Sequence, residues 1–470
     1  MFRASTKAAK NQGEAQPVPV GRRNLLRVSA LTALGAGASL GSVLDATPSE
    51  AAVATEVATT TDYVPVSAQD AALPPVPARV PTSLIQGTQP GHLWTAGTSI
   101  GGTTNLNDST EFMVGTQSAG RVSDGASGMS RLQVLGGRAV DFSDKHVSLM
   151  FRLENIASVK WLTVYASSGN ISSTHYKWDL KPPAGVGWCL ADGRWTTLTL
   201  NFSDAVRVGE PNLQAITDWQ IMAVDDSTGV SVRLNIGKVD SVPRTNRWPN
   251  GVWTLSMDDS FASQMGIIRY ASQYGIRGTI YNIAEMVDRD GCLSTAQLRT
   301  AQDDLGWEVA GHAMTLAAHD STFAALTPVQ LDSELSALKL WLRTRGFIAA
   351  NHLAYPKGIF NGPVLDAVKK HFPGSARGTF SNTTETAPPP DRHILRARAL
   401  GQSRTLEQAK ADIDRAYSSK AWIHNYGHQF NATAGNIAWS IADTRALIDY
   451  AVTKGIGIAT VGEVLSGQYL

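Results

Sequence analysis

Residues 252–260 read VWTLSMDDS, an apolar strand-like run that ends on two adjacent carboxylates, Asp258 and Asp259. Neighbouring acids repel each other and lose hydration at the end of a buried strand. The pair therefore marks either a plain turn, where Asp is common, or the seat of a cation, and the flanking sequence decides between them. Downstream, strand-like runs alternate with amphipathic helical ones: WTLSM before 261–274, RGTIYNI before STAQLRTAQDDL, WEVAG before TPVQLDSELSALKLWLRTRG, and HLAYP before NGPVLDAVKKHF. ARGTF, then ILRARAL with TLEQAKADIDRAYS, AWIHNY with SIADTRALIDYAVTKG, and a last strand GIGIATV complete the series. The helical runs open on Thr-Pro, Asn-Gly-Pro or Ser and close on Gly, as helix starts and stops do. Repeated strand-then-helix units over about 220 residues imply a parallel sheet, with a distorted (β/α) barrel over 247–470 as the economical arrangement.

In such a barrel the chemistry gathers at the C-terminal ends of the strands. Just past successive strands stand Asp258 and Asp259, then His312, the turn Tyr355-Pro356-Lys357-Gly358, and His424 within AWIHNY. One histidine at a strand end is usually structural. Two acids and two imidazoles on one rim are more often a metal or acid–base site.

Upstream, over 84–243, the period changes to two. Val147, Leu149, Phe151 and Leu153 alternate, as do Leu198, Leu200 and Phe202, then Trp219, Ile221 and Ala223, and Val230, Val232, Leu234 and Ile236. Turns such as ADGRW and DDSTG separate these runs and no helix intervenes, which predicts an antiparallel, jelly-roll-like β-sandwich. Trp94, Trp161, Trp178, Trp188, Trp195 and Trp219 fall within it. They make either a sugar-stacking face or core packing, since Trp is mostly buried.

The first residues contain GRRNLLRVSALTALGAGASLGSVL, a twin arginine (Arg22, Arg23) ahead of a mildly apolar run over 28–44. That order predicts a twin-arginine export signal over 1–54, cleaved near 51–54, in a bacterial protein that is secreted or associated with the cell wall. The run is too diluted by Gly, Ser and Thr for a membrane span of about 20 apolar residues, so no stable membrane insertion is expected. An Ala/Thr/Val/Pro-rich stretch over 55–83 reads as a disordered linker. The chain has 470 residues, 43% of them hydrophobic, enough for two or three domains. Its 41 basic and 40 acidic residues give a net charge of +1, which offers no field for nucleic acid. Cys189 and Cys292 are the only cysteines and lack metal-site spacing, so two free thiols are expected. Nothing in the sequence fixes the oligomeric state.

The rim residues resemble the motifs of the polysaccharide deacetylase family, the NodB-homology domain of carbohydrate esterase family 4, across about 253–470. MDDS corresponds to the family's aspartate-pair motif, GWEVAGHAMTLAAH to its histidine motif, LAYPKG to the motif that ends in Pro-x-Gly, and AWIH to the strand with the late histidine. RGTIY fits as well. The resemblance implies a metal-dependent hydrolase that releases acetate from N-acetyl or O-acetyl groups of a polysaccharide. It makes Asp259 and His312 metal ligands, Asp258 the general base that takes a proton from water, and His424 the acid that protonates the leaving group. The amide of Lys357, in the turn shaped by Tyr355 and Pro356, is the candidate oxyanion donor. A carboxylate with imidazoles suits zinc first, then cobalt or nickel.

Three positions depart from the family pattern. Its second histidine lies four residues after the first, but Leu316 stands there and the next histidine is His319. Seven residues of continuous helix would part the side chains by about 10 Å, so His319 is the expected third ligand only if AMTLAA loops. The arginine that commonly buttresses the base is replaced by Ala354, leaving Arg396 or Arg398 to supply the charge, and Ser260 stands where Gly is frequent. His428 is expected at the rim or against substrate, and His352, His371 and His393 as structural or exposed residues. Two other functions compete: a non-catalytic carbohydrate-binding protein on a degenerate esterase scaffold, and an esterase of the acetyl-xylan type. A two-carboxylate glycoside hydrolase is disfavoured, because adjacent residues cannot flank a glycosidic bond at about 5 Å or more.

Overall fold

The computed structural model describes residues 80–466, apart from 98–100, 183–186, 381 and 436. The expected export signal and nearly all of the expected linker lie outside the described residues. The first strand, Thr82–Gln86, begins just inside the linker segment and pairs with Arg233–Pro243.

Two six-stranded antiparallel sheets form the first part of the described chain. One contains Thr103–Asp108, Ser118–Val122, Arg233–Pro243, Lys145–Glu154 and Trp195–Leu200, besides Thr82–Gln86. The other runs Val206–Val208, His175–Asp179, Val159–Ser167, Asp218–Asp225, Met129–Val134 and Thr95–Ala96. Period-two residues supply the buried faces: Val147, Leu149, Phe151 and Leu153 from one sheet and Trp219, Ile221 and Ala223 from the other are all buried in one core. Trp94, Trp178 and Trp219 are buried there too, Trp188 and Trp195 are half-buried, and Trp161 alone of the six is exposed, at 54%. Most of these rings therefore serve packing rather than a stacking face.

From Val252 the sheet is parallel, in the order Ser375–Arg377, His352–Ala354, Glu308–Ala313, Thr279–Ile283, Val252–Asp258, Trp422–Gly427 and Arg398–Leu400, with Gly457–Ile458 beside Val252–Asp258. It curls until its ends meet at a parallel bridge between Arg377 and Leu395. The strand Val252–Asp258 is buried along its whole length. Trp253, Leu255 and Met257 join the apolar core. On the alternate face, Thr254 donates to the Ala459 carbonyl, Ser256 meets His424, and Asp258 meets Arg377, so the interior of the curl is polar. Outer helices include Gln264–Ser272, Pro328–Thr344, Gly362–His371, Leu406–Ser419 and Ile441–Lys454. Thr327, Asn361 and Ser440 accept backbone N–H bonds at three of the helix starts, as the sequence signals indicated. The run STAQLRTAQDDL is less regular than expected, with an α-turn over Thr295–Arg299 widening into a π-type turn over Thr300–Asp304. No helix among the described residues is long and apolar enough to cross a membrane. Both cysteines are free thiols.

Polar side chains stitch the sandwich to the curled sheet. Arg396, fully buried, holds Glu385 through two nitrogens and donates to the carbonyl and hydroxyl of Thr199 in the sandwich. Asn201 donates to Thr384, Thr384 to Asp204, and Asn382 to the carbonyls of Asp179 and Lys181. Replacing Arg396 by Ala would strand the Glu385 carboxylate in the interior. The expected cost is about 3–5 kcal/mol of stability, to be measured by denaturant unfolding; a loss under about 1 kcal/mol would mean that water reaches Glu385.

Candidate metal and acid–base site

The site begins with a backbone constraint. Asp259 and Ser260 both adopt left-handed conformations, with φ of 68° and 61°, which non-glycine residues hold only when their surroundings impose it. Here Ser260 donates to Asn282 Oδ1 at 2.9 Å and its carbonyl accepts from the Leu293 amide at 2.7 Å. Ser260 thus adopts the conformation that glycine would favour. The reversal turns the two carboxylates in different directions, although they are sequence neighbours.

Asp258 faces inward. Its Oδ2 accepts from Arg377 Nη2 at 2.5 Å, and Arg377 is completely buried. The guanidinium lies between the rings of Tyr281, at 5.1 Å, and Tyr426, at 4.3 Å, an arrangement that stabilises a desolvated cation. Burial alone would lower the arginine's pKa, but Asp258 and the two tyrosines raise it, so the charge is permanent. Asp258 Oδ1 has no hydrogen-bond partner among the described residues. The buttress expected from Arg396 or Arg398 is therefore Arg377. Arg396 is committed to Glu385 and Thr199, and Arg398 to Asp204 and Asp412.

Asp259 faces the other way, toward two imidazoles. Its Oδ1 is 3.4 Å from His312 Nε2 and 3.3 Å from His319 Nε2. One ligand atom from each of the three residues falls within a 4.8 Å group. The seven-residue gap closes because the strand Glu308–Ala313 ends just after His312 and a new helix, Leu316–Ser321, starts at Thr315. Glu334 fixes the joint by accepting from the amides of Met314 and Thr315, and Glu285 accepts from the Leu316 amide. The two rings consequently meet at 4.9 Å between centroids.

The outer nitrogens are also engaged. His312 Nδ1 donates to the Ala354 carbonyl at 2.8 Å and His319 Nδ1 to Asp320 at 3.0 Å, which leaves both Nε2 lone pairs aimed at Asp259. Burial holds the His312 pKa down at about 4, against the pull of Asp258 and Asp259, so this ring is neutral at neutral pH. Burial would raise Asp259, but His319, His312 and His428 outweigh it and hold the carboxyl at about 2. Burial would lower His319, yet Asp259 and Asp320 raise it above its ordinary value. Two imidazole lone pairs and a carboxylate oxygen turned on one point repel each other unless a proton or a cation lies between them. The set fits a divalent ion.

The late histidine lies deeper than a place on the rim. His424 pairs in register with Thr254, four residues before Asp258, which places it about 13 Å below the mouth at strand spacing. It is buried, meets Ser256 Oγ at 2.8 Å and stacks on Trp422. Burial first, and then the Arg377 charge, push its pKa far below the usual value. His428 occupies the mouth instead, with Nε2 4.0 Å from Asp259 Oδ2. Gln264 fixes this geometry by donating to the carbonyls of both Asp258 and His428. His424 therefore lies deep in the curl and His428 at the mouth, because AWIHNYGH stays a strand for three residues after His424.

Asp258, Asp259, His312, His319, Lys357 and His428 share the lining of one cavity of about 490 Å³. Tyr355 and Thr379 line it as well, and Tyr355 donates through its hydroxyl to the His393 carbonyl. Pro356 is buried, and Lys357, at a left-handed φ of 55°, donates its ammonium to the Asp320 carbonyl. His352 bonds Ser375, His371 bonds Asp332 and His393 bonds the Phe372 carbonyl, all away from the cavity. Arg377, Gln264, Glu334 and the two tyrosines escaped the sequence reading. Arg377 stands second in the strand-like ARGTF, and only the observed strand Ser375–Arg377, which ends on it, puts it where Asp258 stands in its own strand.

No family model and no curated protein matches this chain. Solved structures similar to it include a family 4 acetyl xylan esterase from Clostridium thermocellum in complex with cobalt, at 16% identity over 45% of this chain and 89% of that one, TM-score 0.32. A chitin deacetylase from Colletotrichum lindemuthianum is similar at 14% identity over 46% of this chain and 88% of that one, TM-score 0.34. A family 11 carbohydrate-binding module from Clostridium thermocellum is similar at 14% identity over 34% of this chain and 95% of that one, TM-score 0.26. At these scores the chemistry is read from the site's own residues.

The raised His319 pKa has a consequence for binding. The protonated His319–Asp259 pair contributes stability fully below about pH 6.5 and loses it as pH rises through the raised value. A cation seated there displaces that proton. Zinc binding at pH 6 should release about one proton per ion, read by calorimetry in buffers of different ionisation heat, and binding without release would contradict the assignment. His319→Ala should weaken zinc at least about 100-fold, whereas His424→Ala should leave zinc affinity unmoved.

Proposed function

We propose that this chain is a secreted, metal-dependent carbohydrate deacetylase that hydrolyses acetyl groups of a polysaccharide and releases acetate. One observation carries the reading: the two adjacent carboxylates are divided, one toward a buried arginine and the other toward a two-imidazole set, and both open into one cavity. A turn or a binding groove has no need of that division. A binding protein on a decayed scaffold would also have no need to aim both Nε2 atoms at one carboxylate oxygen.

Asp259, His312 and His319 would hold the ion, zinc first and cobalt or nickel as alternatives. Such an ion would act as a Lewis acid on the acetyl carbonyl and make a water acidic at neutral pH. Asp258, paired to Arg377 through Oδ2 and with Oδ1 unpartnered among the described residues, takes the proton from the attacking water. His428 then delivers a proton to the leaving nitrogen or oxygen, as an imidazole at the mouth is suited to do. Lys357, whose left-handed turn borders the cavity, offers its amide to the carbonyl oxygen as negative charge grows there. Phe261, Ile283, Met286 and Leu316 add apolar wall that accepts the acetyl methyl and sheds water. Export by the twin-arginine route, resting on Arg22 and Arg23, would bring the enzyme to its polymer.

Incubation with N-acetylated chito-oligosaccharides and acetylated xylan in the presence of zinc should release acetate without cleaving the chains. Asp258→Asn should lower kcat by about 10²–10⁴-fold while zinc stays bound, and His428→Asn should do likewise. Asp259→Ala should remove both zinc and activity. Acetate release unaffected by Asp258→Asn would rule out the mechanism.

A further inference from the structure

The loop of the sandwich that carries Gly187 reaches the catalytic turn itself. The Gly187 amide donates to Thr379 Oγ1 at 3.3 Å, and a Cβ on Gly187 would stand only 1.9 Å from the Gly358 carbonyl oxygen. Gly358 in turn has a left-handed φ of 68°, and a Cβ there would meet Thr379 Oγ1 at 2.1 Å. Gly187, Gly358 and Thr379 are therefore stacked backbone to side chain with no room for another atom. Gly358 and Thr379 both line the cavity, and Lys357 lies between Pro356 and Gly358 in a left-handed conformation.

The same contact leads to the base. The Tyr355 amide donates to the Arg377 carbonyl at 2.9 Å, so the turn hangs from the residue that pairs with Asp258. Thr379 is two residues beyond Arg377. From there to Thr386 the sandwich holds the chain repeatedly: Asn382 by the Asp179 and Lys181 carbonyls, Thr384 by Asn201 and Asp204, and Thr386 by Thr199. This segment has little regular structure of its own, since the strand before it ends at Arg377.

We propose that the sandwich is a positioning element of the catalytic machinery, with Gly187 the residue through which it holds the Tyr355–Gly358 turn and, behind it, Arg377 in working geometry. The proposal rests on the deacetylase reading for its kinetic consequence and on the contacts alone for its structural one. A detachable binding module would touch the other domain away from the reacting groups. This one closes on a glycine pair at the cavity wall. The backbone of Gly187 is not left-handed, so alanine there is opposed by the Gly358 carbonyl rather than by its own φ.

The test uses the full chain with zinc and an N-acetylglucosamine hexamer, alongside hydrogen–deuterium exchange of the 355–358 turn. Gly187→Ala should lower kcat about 10–100-fold, the effect of misplacing a catalytic group by about an ångström, with KM changed less than about two-fold. Exchange at 355–358 should rise and zinc content stay the same. Thr379→Val should act in the same direction and Thr379→Ser should restore the rate, which keeps the test sound if Gly187→Ala fails to fold. Arg194→Ala breaks a different contact with the curled sheet, the 2.5 Å pair with Asp366, and should change neither readout. Wild-type kcat and unchanged exchange in Gly187→Ala and Thr379→Val would overturn the proposal, as would an equal effect from Arg194→Ala. If the wild-type protein released no acetate, the deacetylase reading would fail, and exchange at 355–358 would still decide this one.

Discussion

Two like charges on consecutive residues can be buried only if each has its own counter-charge, and the rest of the site follows from that requirement. Asp258 has Arg377, a guanidinium clasped by two tyrosine rings inside the curled sheet. Asp259 has the paired imidazoles of His312 and His319. The left-handed step at Asp259 and Ser260 makes the division possible, because an ordinary strand exit would not aim neighbouring side chains at partners so far apart in the sequence. That step stores strain, and the Ser260 bond to Asn282 with those from Leu293 and Gln264 hold it.

The division also separates two kinds of chemistry. In the proposed mechanism, the carboxylate fixed against a permanent cation, with its other oxygen unpartnered among the described residues, serves as the base. The carboxylate facing the two imidazoles serves there as a ligand. Without Arg377, Asp258 would be free to compete for the ion that the proposed mechanism places on Asp259. The tyrosines gain their importance in the same way: their rings stabilise a charge whose desolvation would otherwise be costly.

Much of this was legible in the sequence. Alternating strand and helix signals from Trp253 onward located the parallel sheet, and the period-two runs located both sandwich sheets. The strand-end rule found Asp258, Asp259 and His312, because the residue after a parallel strand has few directions to point. The sequence places His424 within the strand AWIHNY rather than just past it, and the observed strand Trp422–Gly427 runs three residues beyond it, enough extended chain to carry the side chain from the mouth into the interior. Arg396 and Arg398 were near the right place in the sequence but belong to the surface where the sandwich meets the curled sheet, a contact that periodicity does not encode. His319 lay between these cases. Helical spacing argued against it, and only a break at Thr315, held by Glu334 from a distant helix, brings its ring to Asp259.

Anomalous diffraction from crystals of the full chain soaked with zinc examines the division of the two carboxylates most directly. One strong peak is expected at about 2.0–2.2 Å from a carboxylate oxygen of Asp259 and from Nε2 of His312 and His319, with Asp258 still paired to Arg377. A peak coordinated by Asp258 with Arg377 displaced, or no peak between the two imidazoles, would contradict the account.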